Sequence, residues 1–285
     1  MARVLCVGVA TLDIVNRVER YPAEDSEVRA LAQQVRAGGN ACNTARVLAQ
    51  LGVEAHWAGN LSDQPQARLV QAAFDRVGVD YSRAVSIPGS VLPTSYITHS
   101  QATGSRSIVH YRDLPEYAAQ DFLSLDLSPF DWVHFEGRAT EQLAPMLRRA
   151  RGMCGIPVSL EVEKPRVGIE ALFDEVDVLF FARDYTVASG FDSAQALLAS
   201  LPRGAVATCT WGECGAWALD FQGDLWHEPA HAPPTLVDTI GAGDVFNAGM
   251  LAALSAGVPV SESLRRANRL AGEQCGREGL ELSNA

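Results

Sequence analysis

The residues best suited to chemistry lie near the end of the chain, in the run Asp238-Thr239-Ile240-Gly241-Ala242-Gly243-Asp244. An almost wholly apolar segment, 245–254, follows this run and predicts a buried helix that begins at the glycines. Small residues at a helix start let backbone N–H groups face a ligand, and the helix dipole adds positive potential there. The run therefore predicts an anion-binding site at the start of this helix.

Asp244 lies at the same helix end, where its carboxylate would repel a bound anion unless it has a function of its own. Accepting a proton from an attacking hydroxyl is such a function. The alternative is that Asp244 only complements the helix dipole, as many acids in a first turn do. A bare Gly-x-Gly-Asp favours that alternative. The longer string Asp-Thr-x-Gly-Ala-Gly-Asp-x-Phe-x-Ala-Gly, which this chain carries, favours a catalytic base.

A second motif, Gly38-Gly39-Asn40-Ala41-Cys42-Asn43, opens the first clear helical segment. Asn40 is a candidate N-cap, and Asn40 and Asn43 are spaced to share one helix face. Amides both donate and accept hydrogen bonds, as sugar hydroxyls do, and Gly39 would leave space for a ligand near the backbone. Asp13 follows the first predicted strand, at the edge of the sheet where α/β proteins bind ligands; it is either a turn residue or a hydroxyl acceptor.

Short apolar runs alternate with segments of helical spacing along most of the chain. The runs, each suited to a strand buried on both faces of a sheet, are Arg3–Val9, Ala55–Gly59, Trp132–Glu136, Pro157–Val162, Val176–Phe181 and Ala205–Thr210. The helical segments are Asn40–Leu51, Gln66–Val77, Glu141–Arg151 and Ala194–Leu201. Strands that alternate with helices predict right-handed βαβ units, a mainly parallel sheet and an α/β fold.

Two regions interrupt this alternation and predict exposed strands. Val28–Ala37 and Thr94–Tyr111 contain residues that favour a half-buried pleated surface, and the second region turns back at 102–105 as a hairpin. Strands without helices to cover them are not stable alone, so this sheet must contact the core, a ligand or another subunit. We expect one domain over 1–285, with lid strands inserted at about 14–37 and 91–112.

Composition excludes several classes of protein. A formal net charge of −11 argues against nucleic-acid binding, which requires a basic surface. No apolar run approaches the roughly 18 residues that a membrane helix needs, so no membrane partner is expected. The six cysteines form no Cys-x-x-Cys pair, which favours reduced thiols and a cytoplasmic protein.

Together these motifs resemble those of the ribokinase-like (PfkB-type) carbohydrate kinase family, and the resemblance covers essentially the whole chain. Further stretches that carry it, several of them typical of the ketohexokinase branch, are Cys6–Gly8, Tyr21–Arg29, Gly104–Arg106, Glu136–Arg138 and Glu161–Arg166. The family implies a three-layer α/β sandwich with a small β-sheet lid. It also implies transfer of the γ-phosphate of MgATP to a primary hydroxyl of a small sugar. The branch implies a ketohexose such as fructose, phosphorylated to the 1-phosphate.

The resemblance also implies a role for each motif residue. Asp244 would be the base, and Gly241, Ala242 and Gly243 the anion hole. The sugar hydroxyls would be held by Asp13, Gly39, Asn40 and Asn43. Arg106 would clamp the ATP phosphates; a solvated arginine at a turn is the alternative. The nucleotide would lie against Gly212, Glu213, Cys214 and Gly215, which can equally form a tight strand-to-strand turn.

Magnesium is expected with ATP, although no ligand for it is assigned. Many family members carry an Asn-x-x-Glu motif near the strand that ends at Phe181, whereas this chain reads Ala182–Thr186 there. Glu161 and Glu163 could act on the metal through water. A salt bridge from these glutamates to Lys164 or Arg166 is an equally good interpretation.

Several alternatives stay open. By resemblance, two lids would clasp each other in a homodimer, with Asp25 near the neighbouring pocket. The acceptor could instead be ribose, a sugar acid or a nucleoside. A protein of a different class, a sugar or nucleotide sensor that has lost catalysis, is disfavoured by the intact Asp244. A dinucleotide-dependent oxidoreductase is remote, because Gly8–Leu12 does not read Gly-x-Gly-x-x-Gly.

Overall fold

A computed structural model of the chain describes residues 1–202 and 204–282; Arg203 and 283–285 of the predicted domain lie outside them. The strands are β1 (Arg3–Val7), β2 (Thr11–Val18), β3 (Ala32–Gly38), β4 (Glu54–Ala58), β5 (Asn60–Ser62), β6 (Val85–Ile87), β7 (Thr94–Ser100), β8 (Arg106–Tyr111), β9 (Trp132–Glu136), β10 (Val158–Val162), β11 (Val178–Ala182), β12 (Val206–Thr210), β13 (Ala216–Leu219) and β14 (Leu225–Glu228). The α-helices are α1 (Asn40–Gln50), α2 (Ala67–Val77), α3 (Ala119–Leu123), α4 (Thr140–Leu147), α5 (Arg183–Ala188), α6 (Ala194–Ser200), α7 (Ala242–Ser255) and α8 (Val260–Cys275). A π-helical turn, Arg148–Met153, extends α4, and 3₁₀ turns cover Glu170–Glu175 and Gly212–Cys214.

The central sheet has eight strands in the order β14-β13-β12-β11-β10-β9-β1-β4. Strands β4, β1, β9, β10, β11 and β12 are parallel, and β13 and β14 add an antiparallel edge. The six apolar runs all form strands of this sheet, as predicted. The edge strands β13 and β14 are not among the predicted runs, because β13 has only four residues and β14 is largely exposed.

Helices cover both faces of the sheet. One buried cluster joins the sheet to α1, α2, α7 and α8, through side chains such as Leu48, Phe74 and Phe246. The other joins it to α3, α4 and α6, through side chains such as Phe122, Met146 and Leu197. Burial on both faces explains why the parallel strands are continuously apolar. The predicted three-layer α/β sandwich is confirmed.

A separate four-stranded sheet has the order β3-β2-β7-β8. The predicted hairpin is confirmed, because β7 and β8 pair antiparallel around 101–105. Strand β2 pairs antiparallel with β3 and parallel with β7. The side of this sheet that faces away from the central sheet carries the exposed apolar side chains of Val35, Tyr96 and Val109, which lie in register across the strands. In the part of the chain that the structure describes, no helix is long and apolar enough to cross a membrane.

Candidate active site

A cavity of about 700 Å³ lies between the carboxyl ends of the central strands and the small sheet. Its walls include Val9 and Glu136 from the central sheet and Ser95, Ile97 and Ile108 from the small one. The cavity brings together most of the residues that the sequence singled out, namely Asp13, Gly39, Asn40, Asn43, Arg106, Gly212, Gly241, Gly243 and Asp244. Their common location follows from topology, since parallel strands end at the same edge of the sheet.

Asp244 is buried in the first turn of α7, which begins after Gly241. The residue before the helix, Gly241, has a left-handed backbone conformation with φ 81°, which favours glycine. The Leu280 side chain packs against it. The Asn43 side-chain N–H donates to Asp244 Oδ2 at 2.8 Å. Burial is the main cause that raises the Asp244 pKa well above its usual range, with repulsion from Glu163, Glu136 and Asp13 adding to it. This carboxyl group is therefore primed to take up a proton.

Two further acids stand beside Asp244 because of strand register. Glu136 in β9 is the direct partner of Glu161 in β10, which places both carboxyl groups at the same edge. Glu136 Oε2 accepts from the backbone N–H groups of Val9, at 2.9 Å, and Ala41, at 3.4 Å. Burial raises the pKa of Glu136 although Arg138 opposes the shift. This acid therefore ties β1, β9 and α1 together under the cavity.

Glu161 is the least satisfied of these acids. Its Oε1 accepts from the side-chain amides of Asn40, at 3.1 Å, and Asn247, at 3.2 Å. Its buried Oε2 has no hydrogen-bond partner among the described residues. Burial first, and then repulsion from Asp244, raises the Glu161 pKa well above its usual range. The free oxygen leaves Glu161 able to interact with a ligand.

The prediction that Asn40 is an N-cap is wrong. Gly39 holds that position, with φ 96°, and α1 begins at Asn40. A Cβ at Gly39 would lie 2.2 Å from the backbone oxygen of Val9, so only glycine fits. Because Asn40 does not cap the helix, its amide is available to Glu161 and, at 3.3 Å, to Glu163.

The prediction that Asp13 follows β1 as an edge residue of the central sheet also needs correction. Asp13 is the third residue of β2 in the small sheet, opposite Arg36 of β3. Thr11 donates its hydroxyl to Asp13 Oδ1 at 2.9 Å. The buried carboxylate nevertheless lines the cavity, because the small sheet forms its roof.

Two arginines of the small sheet contact the loop before α7. Arg106 is exposed and donates to the Thr239 hydroxyl at 3.3 Å. Arg36 forms an ion pair with Asp238 at 2.7 Å, and Asp238 in turn accepts from the backbone N–H of Ile240 at 2.9 Å. Sheet and loop are thus connected at two points.

The predicted nucleotide segment 212–215 is only partly at the cavity. Gly212 lines it, whereas Glu213, Cys214 and Gly215 do not. These residues turn the chain from β12 into β13, and a Cβ at Gly215 would lie 2.0 Å from the backbone oxygen of Glu228. Ala242 is likewise not part of the lining, although it lies between Gly241 and Gly243.

Within the residues that the structure describes, no group of three or more His, Cys, Asp or Glu side chains could hold a metal ion directly. Glu163 pairs with Lys164 at 3.1 Å, as the alternative interpretation of that glutamate anticipates. Glu161 has no such cation partner within 4.0 Å among the described residues.

Sequence reasoning missed that Glu136 and Arg138 line this cavity and that Asn247 donates a hydrogen bond to Glu161. In the sequence, Glu136 and Arg138 stand out only as a short stretch that resembles the family, and Asn247 is only an unspecified position of the Asp-Thr-x-Gly-Ala-Gly-Asp-x-Phe-x-Ala-Gly motif. A buried acid at the end of an apolar strand run was the available signal, because charges are rarely buried without a partner or a function.

The whole chain, residues 1–285, matches the family described as pfkB family carbohydrate kinase. The chain belongs to this family. Mouse ketohexokinase is 38% identical over 98% of each chain, and an ATP-dependent ribose-1-phosphate kinase of Halopiger xanaduensis is 28% identical over 98% of this chain and 94% of its own. A solved structure of Arabidopsis thaliana ribokinase complexed with ribose and ATP has a TM-score of 0.79, at 22% identity, over 98% of this chain and 94% of that one.

This carbohydrate kinase is therefore an enzyme of sugar metabolism. Its relatives act on different sugars, so membership of the family leaves the acceptor open.

Proposed function

We propose that the protein transfers the γ-phosphate of ATP to a primary hydroxyl of a small sugar, with a ketohexose such as fructose as acceptor and O1 as the reacting atom. One observation carries the proposal: a buried carboxylate, Asp244, lies in the first turn of α7 and is held at 2.8 Å by Asn43. Base and anion site thus share one helix end. The 38% identity to mouse ketohexokinase supports the ketohexose.

In this mechanism Asp244 accepts the proton of the attacking hydroxyl. Its raised pKa matches that task, since a base whose pKa approaches the working pH both ionises and holds the proton. Asn43 fixes the carboxylate by its N–H, and Asn40, Asn43, Asp13 and the backbone at Gly39 bind the remaining hydroxyls. Such positioning supplies much of the rate in phosphoryl transfer, where the protein does little covalent chemistry.

The transferred group carries negative charge that the site must balance. The backbone N–H groups at 241–243 and the Arg106 guanidinium supply donors for it. Magnesium bound with ATP would neutralise phosphate charge, and Mg²⁺ prefers oxygen ligands and keeps several waters. Glu161 fits that demand, because its buried Oε2 has no partner among the described residues. We assign Glu161 to the water shell of the metal, with Glu163 beside it.

The small sheet would act as a lid and as a dimer interface. Closing it over the cavity would exclude water and so suppress ATP hydrolysis. The exposed apolar side chains on its outer face, such as Tyr96 and Val109, would be covered by the same sheet of a second copy. A homodimer acting in the cytoplasm is therefore part of the proposal.

Asp244→Asn tests the central step. We expect kcat to fall by about two to four orders of magnitude, as loss of a general base does, while ATP binding survives. Asp184→Asn is the matched control, because Asp184 lines the same cavity and is exposed. Near-normal turnover in Asp244→Asn, or an equal loss in the control, would contradict the assignment.

A panel of acceptors with MgATP tests the substrate. We compare kcat/KM for the neutral acceptors fructose, ribose and adenosine. Fructose should lead, because mouse ketohexokinase is 38% identical to this chain. If kcat/KM for ribose or adenosine is at least tenfold higher than for fructose, the ketohexose is rejected as acceptor and only the family assignment stands. ATP or sugar binding without turnover of any acceptor would instead favour a sensor.

A further inference from the structure

A second cavity, of about 410 Å³, adjoins the part of the first cavity where Asp13 and Asn43 are proposed to hold the sugar. Asp13, Asn43 and Ile240 line both cavities, so a ligand held by these residues faces the second one as well. The remaining walls come from β3, from α1 and from the segment 278–281 near the end of the chain. The proposed function leaves this space unexplained.

Arg46 dominates the wall made by α1. It is 8% exposed and lies three residues after Asn43, on the same face of the helix. No carboxylate of the described residues approaches its guanidinium within 4.0 Å, and its Nε has no hydrogen-bond partner among them. Nη1 makes two long contacts of 3.4 Å, to the Ala37 oxygen and to Asn43 Oδ1. A buried cation without a counter-charge is costly to the folded protein.

Among the other charges of this cavity, the buried Asp13 carboxylate accepts from the Thr11 hydroxyl at 2.9 Å and makes no ion pair within 4.0 Å with Arg46. Arg76 pairs with Glu281 at 2.6 Å, and Arg36 pairs with Asp238 at 2.7 Å. Arg36 still has a buried Nη2 without a partner among the described residues, which adds a second donor beside Arg46. Glu278 is exposed. Among the described residues, Arg46 therefore has no ion-pair partner within 4.0 Å, and Asp13 is a carboxylate of the same cavity at longer range.

We propose that this second cavity is an anion subsite, built around Arg46, for a carboxylate or phosphate carried by the acceptor sugar at the end remote from the phosphorylated hydroxyl. The proposal rests on the proposed function and deepens it. A guanidinium matches both anions with paired N–H groups, and an entering anion supplies the missing counter-charge. Because Asp13 and Asn43 belong to both cavities, one ligand can reach Asp244 and Arg46 together.

A purely structural role for Arg46 makes a different prediction. Its contact with Asn43 Oδ1 turns the Asn43 N–H groups toward Asp244, so losing Arg46 could impair every acceptor alike. An anion subsite instead affects only acceptors that carry the anion. The ratio between an anionic and a neutral acceptor separates the two roles, since effects through Asn43 cancel in it.

Three ketoses with the same carbon skeleton provide the test: fructose, fructose 6-phosphate and fructuronate, which are neutral, phosphorylated or carboxylated at carbon 6. With MgATP, the wild-type kcat/KM for at least one anionic acceptor should exceed that for fructose by about ten- to a hundredfold, as for a hydrogen bond between charged groups. The better anion identifies the group. Arg46→Gln should bring the ratio close to one, and Arg46→Lys should retain part of it. Arg269→Gln, at an exposed arginine that pairs with Glu273 at 2.7 Å and lines neither cavity, is the matched control and should keep the ratio.

The subsite is refuted if neither anion is preferred by the wild type, or if the preference survives in Arg46→Gln. Calorimetric binding of the two anionic ketoses without ATP gives a second readout. Binding that weakens at least tenfold in Arg46→Gln but not in Arg269→Gln supports the subsite, and equal or absent binding overturns it. Failure to phosphorylate any ketose, with such binding intact, would reject the proposed reaction and retain the subsite.

Discussion

Glu161 combines burial, negative charge and incomplete hydrogen bonding, so its replacement by glutamine has a definite expected effect on stability. Glu161→Gln keeps the shape of the side chain and an acceptor for Asn40 and Asn247. It removes the charge at the oxygen that has no partner among the described residues. We expect the folded protein to become more stable at pH 8.

The sign follows from the pKa. Burial and repulsion from Asp244 raise the Glu161 pKa above its value of 4.5 in the unfolded chain. The stability that protonated Glu161 contributes is fully present below the pKa of the unfolded chain, and it is lost as the pH rises through the pKa of the folded protein. A buried charged group without a partner costs about 1–3 kcal/mol or more. At about 2 °C per kcal/mol for a chain of this size, Tm should rise by about 2–6 °C.

Urea unfolding of wild type and Glu161→Gln across pH 4.5 to 8 measures the effect. The difference in free energy of unfolding should be near zero at pH 4.5 and grow toward pH 8. Glu163→Gln is the matched control, because its side chain is 41% exposed and pairs with Lys164. We expect the control to stay within about 0.5 kcal/mol of wild type at both pH values.

A variant less stable than wild type at pH 8 would refute the reasoning, because the Glu161 charge would then be stabilising in the folded protein. A difference that does not change with pH would also refute it, since the effect could not come from ionisation. Adding MgATP tests the assigned metal role separately. It should raise the Tm of wild type more than that of Glu161→Gln.

Three further predictions concern other parts of the molecule. Gly39→Ala should lower the free energy of unfolding by at least about 1–3 kcal/mol, because its Cβ would lie 2.2 Å from the Val9 oxygen at φ 96°. Gly52→Ala is the control, since Gly52 has φ 80° but no atom within 4 Å of the added Cβ. Thermal melts that show an equal loss of stability in both variants would contradict the contact argument. Arg106→Gln should raise the KM for ATP by about tenfold through loss of a charge-assisted contact, and an unchanged KM would remove Arg106 from the phosphate site. Light scattering should show a dimer that Val109→Asp, in the exposed face of the small sheet, converts to monomer; a fully active wild-type monomer at assay concentration would exclude the lid interface.

The sequence alone was sufficient where the information is local. The apolar segment after the glycines predicts α7, and α7 indeed begins at Ala242 and is buried. The hairpin around 102–105 and the six parallel strands were predicted for the same reason. Turn residues and apolar periodicity act between neighbours in the chain, so they can be recognised without knowing the fold.

Only the tertiary structure decided which distant groups meet. Glu136 and Glu161 lie side by side because β9 and β10 pair in one particular register, and no local pattern encodes that register. The site of Asp13 depended on β2 leaving the central sheet for the small one. The charge of Arg46 became significant only once the fold had buried it without a counter-ion among the described residues. The energy of a charge depends on the burial and the neighbours that folding gives it, so residue type and spacing do not determine it.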